Sequence, residues 1–142
     1  IFQGIQMVLA TFGGIALLVS AIGMFNTMTV TLLERTKEIG IMRTLGASPN
    51  DVKYLFVSES VVVGFMGGVT GTAMGVTFGI TVNVFLNVVA GQFGGQSVAL
   101  FSFPLNFLTF IIVFSAGVGY LTGIFPAKRA STLNPLDAIR YE

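Results

Sequence analysis

The sequence predicts an all-α membrane protein: three transmembrane helices, with a short helix on the cytoplasmic side between the first and the second. Three observations predict it. Hydrophobic residues make up 54% of the 142-residue chain and charged residues only 9%, whereas a water-soluble domain carries about 25% charged residues to cover its core. The mean hydropathy of +0.89 agrees. The seven basic and six acidic residues fall in two stretches, 34–59 and 128–142. Since a span takes about 20 apolar residues as helix, the blank run 1–33 holds one and the blank run 60–127 holds two.

The same inventory excludes several functions. A net charge of +1 is too small to draw nucleic acid. With no Cys and no His, disulfides, thiolate chemistry, most zinc sites and the imidazole proton shuttle are absent. Neither a phosphate-cradling Gly-x-x-x-x-Gly-Lys-Ser/Thr loop nor a nucleophile–base pair occurs, so the polypeptide is not expected to be a catalyst. Its first residue is Ile1, which reads as a fragment or a processed chain without a signal peptide.

The first element is a span in 1–33, with its apolar core near 9–33. Gln3 and Gln6 make the outer end polar. About 30 helical residues reach about 45 Å, so this helix either protrudes toward an external domain or crosses with a strong tilt. Small residues recur weakly in it, Ala10 with Gly14 and Ala16 with Ser20.

The connector, 34–59, is expected to hold one short amphipathic helix, a stop and a restart. Glu38, Ile41, Met42 and Leu45 share one helical face by their spacing. Gly46 stands where a C′ glycine ends a helix. Ser48 then N-caps the next, with Pro49 in its first position and Asp51 where an acid favours the dipole. That helix continues through Tyr54, Phe56 and Val57 into the second span. The short helix has two readings, an interfacial helix resting on headgroups and a docking element for a cytoplasmic partner.

The second span, 60–90 with its core at 60–88, carries Gly67, Gly71, Gly75 and Gly79 at four-residue intervals, and Gly64 with Gly68 beside them. Each interior glycine costs about 1 kcal/mol relative to alanine, a cost that close helix packing offsets in a membrane. A loop occupies 91–104 by its Gly, Gln and Ser content, and Phe103-Pro104 marks the start of the third helix. The third span, 105–127, repeats the small-residue device with Ser115, Gly119, Gly123 and Ala127. Packing among the three spans and contact with a second copy both fit these stripes. Asn26, Asn83, Asn87 and Asn106 lie near span ends, while no Asp, Glu, Lys or Arg lies within a span core. A proton-coupled carrier or a charge-lined pore is therefore not expected.

Pro126 is expected to end the third helix, with Lys128 and Arg129 as interfacial anchors. In the tail, 128–142, Asn134 is a candidate N-cap with Pro135 in the first turn and Asp137 nearby. The tail is either a membrane-surface anchor or a contact for the connector and its partner. Four basic residues lie in 34–59 and three in the tail, against none in residues 1–8 and 91–104. The positive-inside bias thus puts the N-terminus outside and the C-terminus in the cytoplasm.

Two segments resemble a known family. The run Glu34-Arg-Thr-Lys-Glu-Ile-Gly-Ile-Met-Arg-Thr-Leu-Gly-Ala-Ser48 and the ending Phe125-Pro-Ala-Lys-Arg-Ala-Ser-Thr-Leu-Asn-Pro-Leu-Asp-Ala-Ile-Arg-Tyr-Glu142 are similar to the connector and the C-terminal signature of FtsX-like permeases. These are the membrane partners in MacB-type and LolCDE-type (type VII) ABC transporters, and the resemblance covers the family's C-terminal three-span portion. It implies a four-span permease of the bacterial inner membrane that dimerises with a second permease copy or homologue and binds a cytoplasmic ABC ATPase. The connector would be the coupling helix seated on that ATPase, through Glu34, Arg35, Lys37, Glu38, Ile39, Met42, Arg43, Leu45, Gly46 and Ala47. Most weight falls on Glu38, Ile39, Met42, Arg43 and Leu45. The tail signature maps to Pro126, Lys128, Arg129, Pro135 and Arg140. No cofactor is expected on this chain, with ATP and Mg2+ on the ATPase. The implied function is mechanotransmission, in which ATPase closure is passed across the membrane to export or extract a substrate. The resemblance also admits a non-transporting regulator that activates an extracytoplasmic partner such as a cell-wall hydrolase.

Overall fold

The computed structural model describes residues 2–93 and 100–132, all of it helix, turn and short connecting segments. Four helices follow in order: α1 (Phe2–Glu34), α2 (Thr36–Thr44), α3 (Pro49–Gln92) and α4 (Leu105–Ser131). Three of them, α1, α3 and α4, are long and apolar enough to cross a membrane. Their surfaces are of the kind that lipid solvates, since Phe12, Leu18, Met74, Phe85 and Leu121 are all exposed.

An apolar solvent favours a partner within the protein for each hydroxyl. Several threonines of the long helices find one locally, whereas the buried Thr72 hydroxyl of α3 has none among the described residues. Thr11 donates to the Met7 carbonyl at 2.8 Å and Thr29 to Phe25 at 2.8 Å. Thr77 and Thr81 do the same one turn back in α3, and Thr109 in α4. These bonds let a threonine-rich stretch remain helical in a medium that offers no water.

The principal interface is α3 against α4, which run antiparallel, and α1 packs on α4. The α3–α4 contact is close because glycines meet there. A methyl group added at Gly64 would lie 2.6 Å from the Ser115 carbonyl oxygen, and one at Gly68 2.8 Å from Ser115 Cβ. One at Gly119 would lie 2.5 Å from the Ser60 carbonyl, and one at Gly123 would collide with the Ser60 hydroxyl. Ser60 itself is completely buried and donates to the Val57 carbonyl at 2.8 Å.

The glycine ladder divides. Gly64, Gly68 and Gly79 are packing positions, the last against the Phe103 ring, whereas a methyl group added at Gly67, Gly71 or Gly75 would meet nothing within 4 Å. Four-residue spacing drifts around a 3.6-residue helix, so one row cannot face a single neighbour along its whole length. The weaker small-residue pairs of α1 are on exposed helix surface.

The third helix departs from expectation at its end. Pro126 does not terminate it; α4 runs on to Ser131 with Pro126 buried inside. An interior proline removes one backbone hydrogen bond and clashes with the preceding turn, at a cost of about 3 kcal/mol. Ala127 and Ala130, 0% and 1% exposed, keep the last turn helical by packing into the core. The loop also begins later than its composition suggests, because α3 continues to Gln92. Across the return, Asn83 accepts from the Leu100 and Phe101 amides at 3.0 and 3.2 Å and donates to the Phe101 carbonyl at 2.9 Å. The expected N-cap at Asn134, and Pro135, Asp137 and Arg140 with it, lie outside the described residues.

Candidate functional site

The charged connector becomes α2 and its two junctions. The helical path bends at Arg35 (φ −96°, ψ 10°), where the backbone ladder nonetheless continues: Arg35 N donates to Thr31 O and Ile39 N to Arg35 O, both at 3.0 Å. The Thr36 hydroxyl donates back to the Leu32 carbonyl at 3.0 Å and ties the bend down. At the other end Gly46 adopts φ +103°, a left-handed conformation that residues with a Cβ rarely reach. The Ala47 amide reaches the Met42 carbonyl at 3.0 Å and the Gly46 amide the Arg43 carbonyl at 3.2 Å. This pair of bonds is a Schellman closure, and it stops the helix where the sequence places a stop.

The restart is a reciprocal capping box. The Asp51 amide donates to the Ser48 hydroxyl at 3.2 Å, while the Ser48 amide donates to an Asp51 carboxylate oxygen at 2.8 Å, with Pro49 in the first turn. Hydrogen bonding from Ser48, first through its side chain and then through its backbone, holds the Asp51 carboxyl below the usual carboxylate range. The turn between α2 and α3 is therefore closed from both sides, which gives a nine-residue helix a defined direction.

The inward face of α2 is Ile39 and Gly40, both buried. Ile39, 1% exposed, joins Leu32 of α1, Val52 and Phe56 of α3, and Ala127 and Ala130 of α4 in one cluster, with Met42 and Val57 packed against it. One small cluster thus holds α2 to the ends of all three long helices. Nothing in the sequence pattern singles out Gly40 as a buried position.

The outward face carries Lys37 and Glu38, with Ile41 four and three residues on and Leu45 four beyond that, and all four are exposed. Leu45 is 84% exposed and Ile41 48%. Glu34, Arg35 and Gly46 are exposed as well, and Ala47 is half-buried. Among the connector residues given most weight, Glu38 and Leu45 are on this free face, Met42 and Arg43 are half-buried, and Ile39 is in the core. The Arg43 Nε is buried with no hydrogen-bond partner among the described residues. An amphipathic pattern alone shows two apolar faces, Ile39 with Met42 and Ile41 with Leu45, and does not say which one the protein itself covers.

A feature that local sequence reading misses is the pair of Arg35 and Glu59. The Arg35 Nη1 lies 3.4 Å from a Glu59 carboxylate oxygen, with side chains 48% and 34% exposed. The two residues are 24 positions apart, so only the return of the chain through α3 brings them together. Such an exposed pair contributes at most about 1 kcal/mol.

Residues 10–135 match the FtsX-like permease C-terminal family. The chain is 37% identical over 146 residues to the ABC transporter permease YtrF of Bacillus subtilis, covering 99% of this chain and 34% of that protein. It is 37% identical over 140 residues to the macrolide export ATP-binding/permease protein MacB of Bdellovibrio bacteriovorus, covering 99% and 20%. A MacB of Haemophilus ducreyi is 34% identical over 145 residues, covering 99% and 19%. The chain therefore spans between one fifth and one third of the length of these relatives.

Proposed function

The chain belongs to the FtsX-like permease family and is part of a multi-pass membrane protein, and from that premise we propose that it is the permease part of an ATP-driven ABC transporter in which α2 is the coupling helix. The observation that carries this reading is the two-sidedness of α2. One face is free and mixed apolar and charged, Lys37, Glu38, Ile41 and Leu45, while the opposite face is locked by Ile39 to α1, α3 and α4. A helix held this way does not slide or rotate independently. A push on its free face passes into the ends of three helices through close-packed side chains, which resist compression.

ATP and Mg2+ belong to a cytoplasmic ABC ATPase, whose closure on nucleotide moves α2. The long helices then carry that displacement across the membrane as levers. α1, about 50 Å at its 33 residues, exceeds the hydrocarbon thickness of about 30 Å, and its polar end with Gln3 and Gln6 delivers the motion to an extracytoplasmic portion or partner. A second permease copy completes the assembly, and the work is export or extraction of a substrate on the far side. The α2 end faces the cytoplasm, where the basic residues of the connector and tail accumulate.

The test is Leu45→Glu together with Ile41→Glu in the full-length permease co-expressed with its ATPase. Both side chains are exposed, so stability should stay within about 0.5 kcal/mol of the parent, while the permease should no longer co-purify with the ATPase or stimulate its hydrolysis. Stimulation at the parent level would remove α2 from the coupling path.

A further inference from the structure

α1 packs on α4 and touches α3 little, so a groove of about 560 Å3 stays open between α1 and the α3–α4 pair. Leu17, Ala21, Met24 and Met28 form its α1 wall, and Gly64, Gly67 and Gly68 line it on α3. The methionines are unbranched and adaptable, and a methyl group added at Gly67 would have no neighbour within 4 Å. This is a surface for a narrow, flexible, apolar occupant. At its α2 end the groove reaches Thr31 and Glu59, and Glu59 carries Arg35 at 3.4 Å.

The dimensions identify the occupant. Along α1 the groove runs from Leu17 to Thr31, about 21 Å at 1.5 Å per residue. Thr31 lies just inside the uncharged run that ends at Leu33, so this length starts near the headgroup boundary and passes the midplane of the roughly 30 Å hydrocarbon core without crossing all of it. A spanning helix needs a track through both leaflets. The charged end suits a headgroup with both signs. Among the described residues Arg35 engages Glu59 through Nη1 alone, at 3.4 and 3.5 Å, and its other guanidinium donors are the ones offered to a phosphate. The half-exposed Glu59 carboxylate retains lone pairs for an ammonium.

We propose that this groove binds one phospholipid of the leaflet on the α2 side, with an ethanolamine headgroup. Its phosphate sits on Arg35, its ammonium donates to Glu59, and one acyl chain runs past Met28 and Met24 to Leu17 over the glycine surface of α3. An ethanolamine ammonium has N–H donors for the carboxylate, whereas a choline has none and a glycerol headgroup carries no cation. The ligand therefore adds a polar bridge from the α1–α2 bend to α3 beside the weak Arg35–Glu59 pair and the buried cluster that holds the same elements together.

The experiment uses the full-length permease in nanodiscs of phosphatidylethanolamine, phosphatidylcholine or phosphatidylglycerol, with native mass spectrometry after detergent exchange to count retained lipid. The parent should retain one phosphatidylethanolamine per chain and at least fivefold less of the other two. Arg35→Gln should lower retention at least fivefold, and Glu59→Gln should abolish the preference for ethanolamine over glycerol. Gly67→Leu, placed where there is open space, should expel the lipid without lowering the thermal unfolding temperature. Equal retention of the three lipids, or parent-level retention in Arg35→Gln and Gly67→Leu, would overturn the proposal. So would a disulfide cross-link from Gly67→Cys to a cysteine in another transmembrane segment, since a helix would then fill the groove.

Discussion

The division of the glycine ladder can be tested one methyl group at a time. Gly64 and Gly67 lie less than one turn apart on α3, and alanine at either position adds the same carbon and the same helix propensity. At Gly64 the new methyl would sit 2.6 Å from the Ser115 carbonyl oxygen and 3.0 Å from Gly119 Cα. Both are backbone atoms that no rotamer change can move. Restoring ordinary contact requires α3 and α4 to separate by roughly 1 Å, and overpacking of this kind costs about 1–3 kcal/mol. At Gly67 nothing lies within 4 Å, so Gly67→Ala keeps only the propensity gain, up to about 1 kcal/mol. Because the propensity gain is common to both, the two variants should differ by the overpacking cost alone, about 1–3 kcal/mol, on the order of a five- to hundredfold change in the folding equilibrium. Reversible unfolding of the full-length permease in mixed micelles, followed by circular dichroism with identical lipid content, measures the difference. Equal destabilisation by the two substitutions would refute the packing argument, because it would mean that both rows of glycine meet a backbone.

Two further outcomes follow from the geometry. Asn83→Leu removes three hydrogen bonds to the Leu100–Phe101 backbone, each worth about 1 kcal/mol; amide exchange at Leu100 and Phe101 should accelerate, and unchanged protection would show that Asn83 does not hold the return. The Asp51 carboxyl has its pKa lowered in the folded state, so the capping box stabilises the start of α3 above the ordinary carboxylate range, and this contribution is lost as pH falls through the lowered folded value. Exchange of the Asp51 and Val52 amides, corrected for intrinsic rates, should rise over that acidic window in the parent, and Asp51→Asn should show no such step.

Much of the chain was legible because the determining physics is local. The stop at Gly46 and the restart at Ser48, Pro49 and Asp51 are set by backbone conformation and short hydrogen bonds, and the structure forms them at those residues. The three long apolar helices follow from the distribution of charge, which does not depend on how the helices meet. The end of α4 was not legible for the opposite reason. Pro126 signals a stop by its own stereochemistry, and only the burial of Ala127 and Ala130 against Ile39, Val52 and Phe56 makes continued helix favourable.

The connector shows where local information runs out. Periodicity marks Ile39 and Met42 as apolar in the same way as Ile41 and Leu45, and composition makes Gly64 and Gly67 equivalent. What separates them is direction: once α3 and α4 close on each other and α2 settles against their ends, Ile39 and Gly64 are enclosed while Leu45 and Gly67 stay open. The order of residues by itself settled which long segments are apolar and where the connector stops and restarts, since each is decided within a few residues, but not where α4 ends. Which side of each helix is free for a lipid or a partner was decided only by tertiary packing, because that depends on side chains far apart along the chain arriving at the same place.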